Sequence, residues 1–147
     1  MTQKDKQLLL KDLSSRLPYG VRYRRFAWDD KQGEECISAK IYSISPDGYV
    51  RNYHKDESDY IDNVRPYLFP LSSLTEEQRN YISKLLIDTQ NEFSPYGEIN
   101  MKGCDNLFIC SVKQANALIN YCLANHLDIN GLIEKGLAID ATGLNVY

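Results

Sequence analysis

Cysteine and histidine are the scarcest reactive side chains here, four of the first and two of the second. Their spacing decides which chemistry is open to the chain. Cys104, Cys110, Cys122 and His126 are all of zinc-ligand type. Cys122 and His126 stand four apart, on one face of a helix, which suits two ligands of one ion. The first pair fits less well, because structural zinc sites usually leave about two to four residues between cysteines, and here five intervene. Cys122 also falls on an apolar helical stripe, where a thiol is a common core filler. His126 falls at a helix end, where its ring can meet the last carbonyls. Packing therefore outranks metal for this set, and no cofactor is expected. Cys36 and His54 form a second set. Facing each other across a sheet, they would be nucleophile and base, with an acid from Asp56 to Asp62 orienting the imidazole. Nothing in the spacing fixes that pairing, and no Gly-x-Ser-x-Gly elbow accompanies it. The carboxylate pairs Asp29/Asp30, Glu34/Glu35, Asp56/Glu57 and Glu76/Glu77 are sequence neighbours on polar turns or a helix start. A glycosidase pair must instead face across a cleft. Phosphate loops of the Gly-x-Gly-x-x-Gly or P-loop type are missing. An enzyme is the last-ranked reading, with no catalytic residue assigned.

A third constellation is basic and aromatic. Arg16, Arg22, Arg24 and Arg25 follow one another with no acid between Leu13 and Trp28, and Tyr19, Tyr23, Phe26 and Trp28 interleave with them. Tyr49, Arg51 and Tyr53 are expected on the same small sheet. Seven of the 11 tyrosines fall between residues 19 and 67. Three readings stay open. The arginines cover one sheet face and pair with the acidic run Asp56 to Asp62; or Tyr19, Arg22, Tyr23, Arg24, Arg25, Tyr49, Arg51 and Tyr53 form a protein interface, where Tyr and Arg are favoured; or the same face binds single-stranded nucleic acid by phosphate pairing and base stacking. The expectation is a non-enzymatic interaction module with a protein partner, nucleic acid being the alternative.

The elements that must position these groups follow from periodicity. Thr2 caps a first helix with Asp5 at its third position, Leu9, Leu13 and Leu17 recur every fourth residue, and Pro18-Tyr19-Gly20 ends it. Residues 21–54 read as an antiparallel meander of three strands, Val21–Phe26, Cys36–Ile44 and Tyr49–His54, with Ser45-Pro46-Asp47-Gly48 as a tight turn. Ile41 and Ile44 have opposite parity, so either both faces are packed or a bulge shifts the register. Tyr60–Val64 is a candidate fourth strand, followed by an extended Arg65–Leu71. Thr75 and Gln78 make a capping box before the stripe Tyr81, Ile82, Leu85 and Leu86. Leu107–Cys110 is a candidate buried strand. Ser111 and Gln114 make a second capping box before Val112, Ala115, Leu118, Ile119 and Cys122. Asp128 or Asn130 caps a short helical turn that Gly136 stops, and Leu137–Ile139 is a candidate last strand. The expected fold is α+β: an N-terminal helix, a small antiparallel meander of three to four strands, two main helices and a short C-terminal helical turn. It reads as a single domain over residues 1–147, helix and sheet over about 1–65 and a helical part over about 72–140.

Three stretches carry a resemblance: Leu8-Leu9-Leu10-Lys11-Asp12-Leu13 with Leu17-Pro18-Tyr19-Gly20-Val21; Val64 through Glu77; and Gly131-Leu132-Ile133-Glu134-Lys135-Gly136-Leu137-Ala138. They resemble a group of short uncharacterised proteins of gut Bacteroides-type bacteria and their phages or mobile elements. The resemblance implies a bacterial or mobile-element setting; it implies no activity and transfers no functional residue.

Composition narrows the rest. The 147 residues are 43% hydrophobic and 25% charged, with net charge -3. The first 65 residues carry net +1 and the remainder -4. A strongly basic nucleic-acid binder is thus disfavoured in bulk, while a local patch remains possible. The length suffices for a core without disulfides. Met1 to Lys6 offers no apolar leader, and no apolar run approaches a membrane span. A cytoplasmic location with cysteines as thiols is expected, with no membrane partner.

Overall fold

The computed structural model describes residues 1–25, 39–53, 58–87 and 112–147. Its elements are α1 (Gln3–Arg16), β1 (Arg22–Arg25), β2 (Ala39–Ile44), β3 (Tyr49–Asn52), β4 (Ser58–Tyr60), β5 (Val64–Leu68), α2 (Glu76–Ile87), α3 (Val112–Ala124) and β6 (Ile139–Asp140). The fold is α+β. Its sheet has six strands among the described residues, in the order β4-β3-β2-β1-β5-β6, where three to four were expected. The additional strands have short-range causes. A 3-10 turn at Ile61–Asn63 splits the predicted Tyr60–Val64 segment into the end of β4 and the start of β5. The last strand, expected over Leu137–Ile139, forms as β6 at Ile139–Asp140 and adds in parallel to β5.

Two compact units divide the described chain: Met1–Ser73 with Cys122–Tyr147, and Leu74–Tyr121. In the second unit Thr75 and Gln78 exchange the predicted capping-box hydrogen bonds (2.9 and 3.2 Å), and the rings of Tyr81 and Tyr121 stack at 4.5 Å. The expected strand Leu107–Cys110 and the cap at Ser111 lie outside the described residues.

In the first unit Thr2 and Asp5 close a capping box on α1. The leucine stripe of that helix lies on the inner sheet face, where Leu9, Leu13, Val21, Tyr23, Ile41, Val50, Ile61, Val64 and Leu68 form the core with Leu132 and Leu137. The parity problem at Ile41 and Ile44 resolves as a bulge. Ile41 pairs with Asn52, Ser43 with Arg51 and Ile44 with Val50, so Tyr42 is the extra residue and both isoleucines serve the inner face. The β2–β3 loop closes with Gly48 N–H donating to the Ser45 carbonyl (3.0 Å), and Gly48 takes φ 95°, a conformation side chains disfavour.

Pro66 sits inside β5 without breaking the sheet. Opposite Tyr23, its missing N–H points away from β1, at a position β6 does not reach. The expected C-terminal helical turn is replaced by hydrogen-bonded turns. Asp128 does cap, accepting from Leu132 N–H (2.8 Å) and Ile133 N–H (2.9 Å). Left-handed backbone at Gly131 (φ 64°) then prevents a helix from propagating.

Candidate interaction surface

Strand register assigns every sheet side chain to a face. Arg22 pairs with Lys40, Ser43 with Arg51, Arg51 with Ser58 and Tyr49 with Tyr60. These residues form the outer face, opposite the core. Lys40, Tyr49, Arg51, Tyr53, Ser58 and Tyr60 are exposed, Tyr53 most among the described tyrosines at 66%. Arg22, Arg24, Tyr42 and Ser43 are half-buried. No outward position of β1–β4 carries a carboxylate; Asp59, in the middle of β4, faces inward. The tyrosines brace one another: Tyr42 and Tyr53 lie 5.2 Å apart and tilted, Tyr49 and Tyr60 lie 5.5 Å apart edge-on. Lys40 Nζ stands 5.7 Å from the Tyr53 ring centre and Lys6 Nζ 5.1 Å from that of Tyr60, within cation–π range. Beside them a groove of about 460 Å³ opens between Ser43, Ser45, Asp47, Tyr49, Arg51 and Ser58.

The residues expected on this surface separate into two groups. Tyr49, Arg51 and Tyr53 are exposed together. Tyr23 is not on the surface: its ring is core, 1% exposed, because its position in β1 faces α1. Its phenol donates to Asp59 and accepts from Asn52 Nδ2 (2.9 Å). Burial, with the Asp59 hydrogen bond adding to it, raises that phenol far above its ordinary pKa. Arg25 meets the same Asp59 at 2.7 Å and so braces the sheet. Tyr19 is half-buried in a 3-10 turn. Arg16 is fully buried at the end of α1, held by Asp12 at 2.6 Å. Phe26 and Trp28 lie outside the described residues. The described acids of the 56–62 run have other partners than the outer face: Asp59 holds Tyr23 and Arg25, and Asp62 holds Lys6 at 2.5 Å.

Lys40, Tyr42 and Tyr60 also belong to the face, and no local sequence pattern marked them. Counted from the Ser45–Gly48 turn, Lys40 shares the parity of Ile44 and would face inward; the bulge between Ile41 and Ser43 is what turns it outward. Tyr42 was hidden by the bulge.

The chemical clusters fare differently. Cys104, Cys110, Cys36 and His54 lie outside the described residues. Cys122 and His126 are both buried in the core of the first unit. Burial pushes the Cys122 thiol up and, with the Arg16 charge, pushes His126 down to about 4. Neither is a poised nucleophile or base. No group of three or more His, Cys, Asp or Glu among the described residues is arranged to hold a metal ion. No helix among them is long and apolar enough to cross a membrane.

Comparison with protein-family models, curated proteins and solved structures found no match.

Proposed function

We propose that the protein is a non-enzymatic interaction module whose contact surface is the outer face of β2, β3 and β4, centred on Lys40, Tyr49, Arg51 and Tyr53. The partner is a protein segment that brings acidic side chains to Lys40 and Arg51 and peptide groups to the groove. The observation that carries this reading is the sorting of charge and rings on β1–β4: cations and exposed tyrosines at the outward positions, and Asp59, the carboxylate of those four strands, turned inward. Exposed Tyr and Arg are the residue types that concentrate interface energy. Asp47 sits in the groove near Arg51, so donor and acceptor are both offered, as a peptide requires.

Single-stranded nucleic acid is the second reading, favoured by tyrosine rings on a cationic sheet face. The Asp47 carboxylate opposes a phosphate there, which ranks it below protein.

Amide chemical-shift mapping tests the assignment. Titration with an acidic polypeptide, poly-glutamate, is expected to shift Lys40, Ser43, Arg51 and Tyr53 and leave the α1 leucines in place. Shifts confined to α2 or α3 would remove the proposal. Equal mapping by oligo-dT with a steep loss of affinity in salt would install the nucleic-acid reading instead.

A further inference from the structure

The segment after β6 lays the Tyr147 ring against the sheet, with 44% of that residue still exposed. Thr142 to Asn145 are exposed. Two backbone contacts tether them, Thr142 N–H to Asp140 Oδ1 (2.8 Å) and Leu144 N–H to the Ala141 carbonyl (3.0 Å). Tyr147 is fixed far more firmly. Its ring lies parallel to the His126 imidazole, centroids 3.8 Å apart and planes 11° apart, and 6.0 Å from the Phe69 ring. Its hydroxyl donates to the Tyr67 carbonyl (2.7 Å) and accepts from Arg22 N–H (3.3 Å).

Those two backbone groups belong to one rung of the sheet. β1 and β5 pair Arg25 with Val64, Arg24 with Arg65 and Tyr23 with Pro66. The next rung sets Arg22 opposite Tyr67, and there the phenol stands between donor and acceptor. A hydroxyl can do this because it donates and accepts at once; no other part of a tyrosine can. The floor of the seat is buried and polar. His126 is 8% exposed and holds left-handed backbone (φ 54°), and its Nδ1 has no hydrogen-bond partner among the described residues. Arg16, fully buried, likewise has an unpartnered Nη1, and its charge is felt by both His126 and Tyr147. A ring face, one backbone donor, one backbone acceptor and a buried unpaired imidazole nitrogen are a receptor for a hydroxylated aromatic ring.

We infer that the β1–β5 seam, with His126 and Phe69, is a binding site for a phenolic side chain, which the chain fills with its own Tyr147 as a latch. Free phenols and tyrosine-bearing peptides compete with Tyr147 for the seat, so ligand binding and release of residues 142–147 are one event. This site is distinct from the outer-face surface proposed above and does not depend on it.

Chemical rescue tests it. Tyr147→Ala removes the equivalent of p-cresol, which is then supplied in solution. The variant is expected to melt about 3–8 °C below the parent. Millimolar p-cresol should restore at least half of that loss, while toluene, which lacks the hydroxyl, restores clearly less. Tyr147→Phe keeps the stacked ring without the bridge and should melt between the two. By NMR titration p-cresol should bind Tyr147→Ala at least tenfold more tightly than the intact chain. Equal rescue by toluene, no rescue by p-cresol, an unchanged melting temperature in Tyr147→Ala, or equal p-cresol affinity in both proteins each overturns the inference.

Discussion

At the scale of single residues, the energetic centre of the first unit is polar. Arg16 and Asp12 are buried side by side, with Asn130 Nδ2 also donating to Asp12 (2.7 Å) and the Leu127 carbonyl accepting from Arg16 (2.8 Å). Removing one partner leaves an uncompensated charge in low dielectric. Asp12→Ala is therefore expected to cost about 3–5 kcal/mol in urea denaturation, whereas the apolar double replacement Asp12→Leu with Arg16→Met costs far less. His126 adds a pH dependence. Its folded value is held down to about 4, first by burial and then by Arg16, against an ordinary 6.5. Below about pH 6.5 the unfolded chain binds a proton that the folded chain refuses. Stability should fall between about pH 6.5 and 4, by up to about 1.4 kcal/mol per pH unit, and this contribution should level off below 4. Denaturation curves of the parent and of His126→Asn, which tolerates left-handed backbone, should diverge over that window. A parallel pH profile for the two proteins would show that His126 does not titrate differently on unfolding. Both features were partly legible: the Asp12–Arg16 spacing of four is a helical ion-pair signature, and His126 stood at a helix end. Their burial was not legible, because it comes from residues 122–132 packing back from more than a hundred positions away.

At the scale of elements, the sequence signals that worked were local ones. Both described capping boxes, Thr2/Asp5 and Thr75/Gln78, close as their spacing demands. The turn at Ser45–Gly48 forms where proline and glycine place it. Gly48→Ala should destabilise by about 1–3 kcal/mol, since a methyl there meets Ile61 and Tyr60 at 3.3 Å on a backbone of positive φ; thermal unfolding measures it. What failed was non-local. The register of β5 against β1, and of β6 against β5, depends on pairs some 40 to 70 residues apart, which no window of periodicity contains. The bulge at Tyr42 hid behind apparent two-faced packing, and it turns Tyr42 toward Tyr53.

At the scale of the molecule, a chain of net charge -3 presents a sheet face with no outward carboxylate on its first four strands. The tyrosine clustering was legible in the sequence, and so was its location. Which rings are surface was not, since Tyr23 and Tyr49 differ only in the face their strand position selects. On the proposed function, Lys40, Arg51 and Tyr53 form a contact surface and carry little of the fold. Labelled poly-glutamate titrated into the parent and into Lys40→Ala/Arg51→Ala/Tyr53→Ala, by fluorescence anisotropy at about 0.05 M salt, tests it most directly. The predicted result is at least a tenfold loss of affinity in the variant, with a melting temperature within about 3 °C of the parent, as exposed sites allow. Unchanged affinity, or a variant that loses its fold, would contradict it.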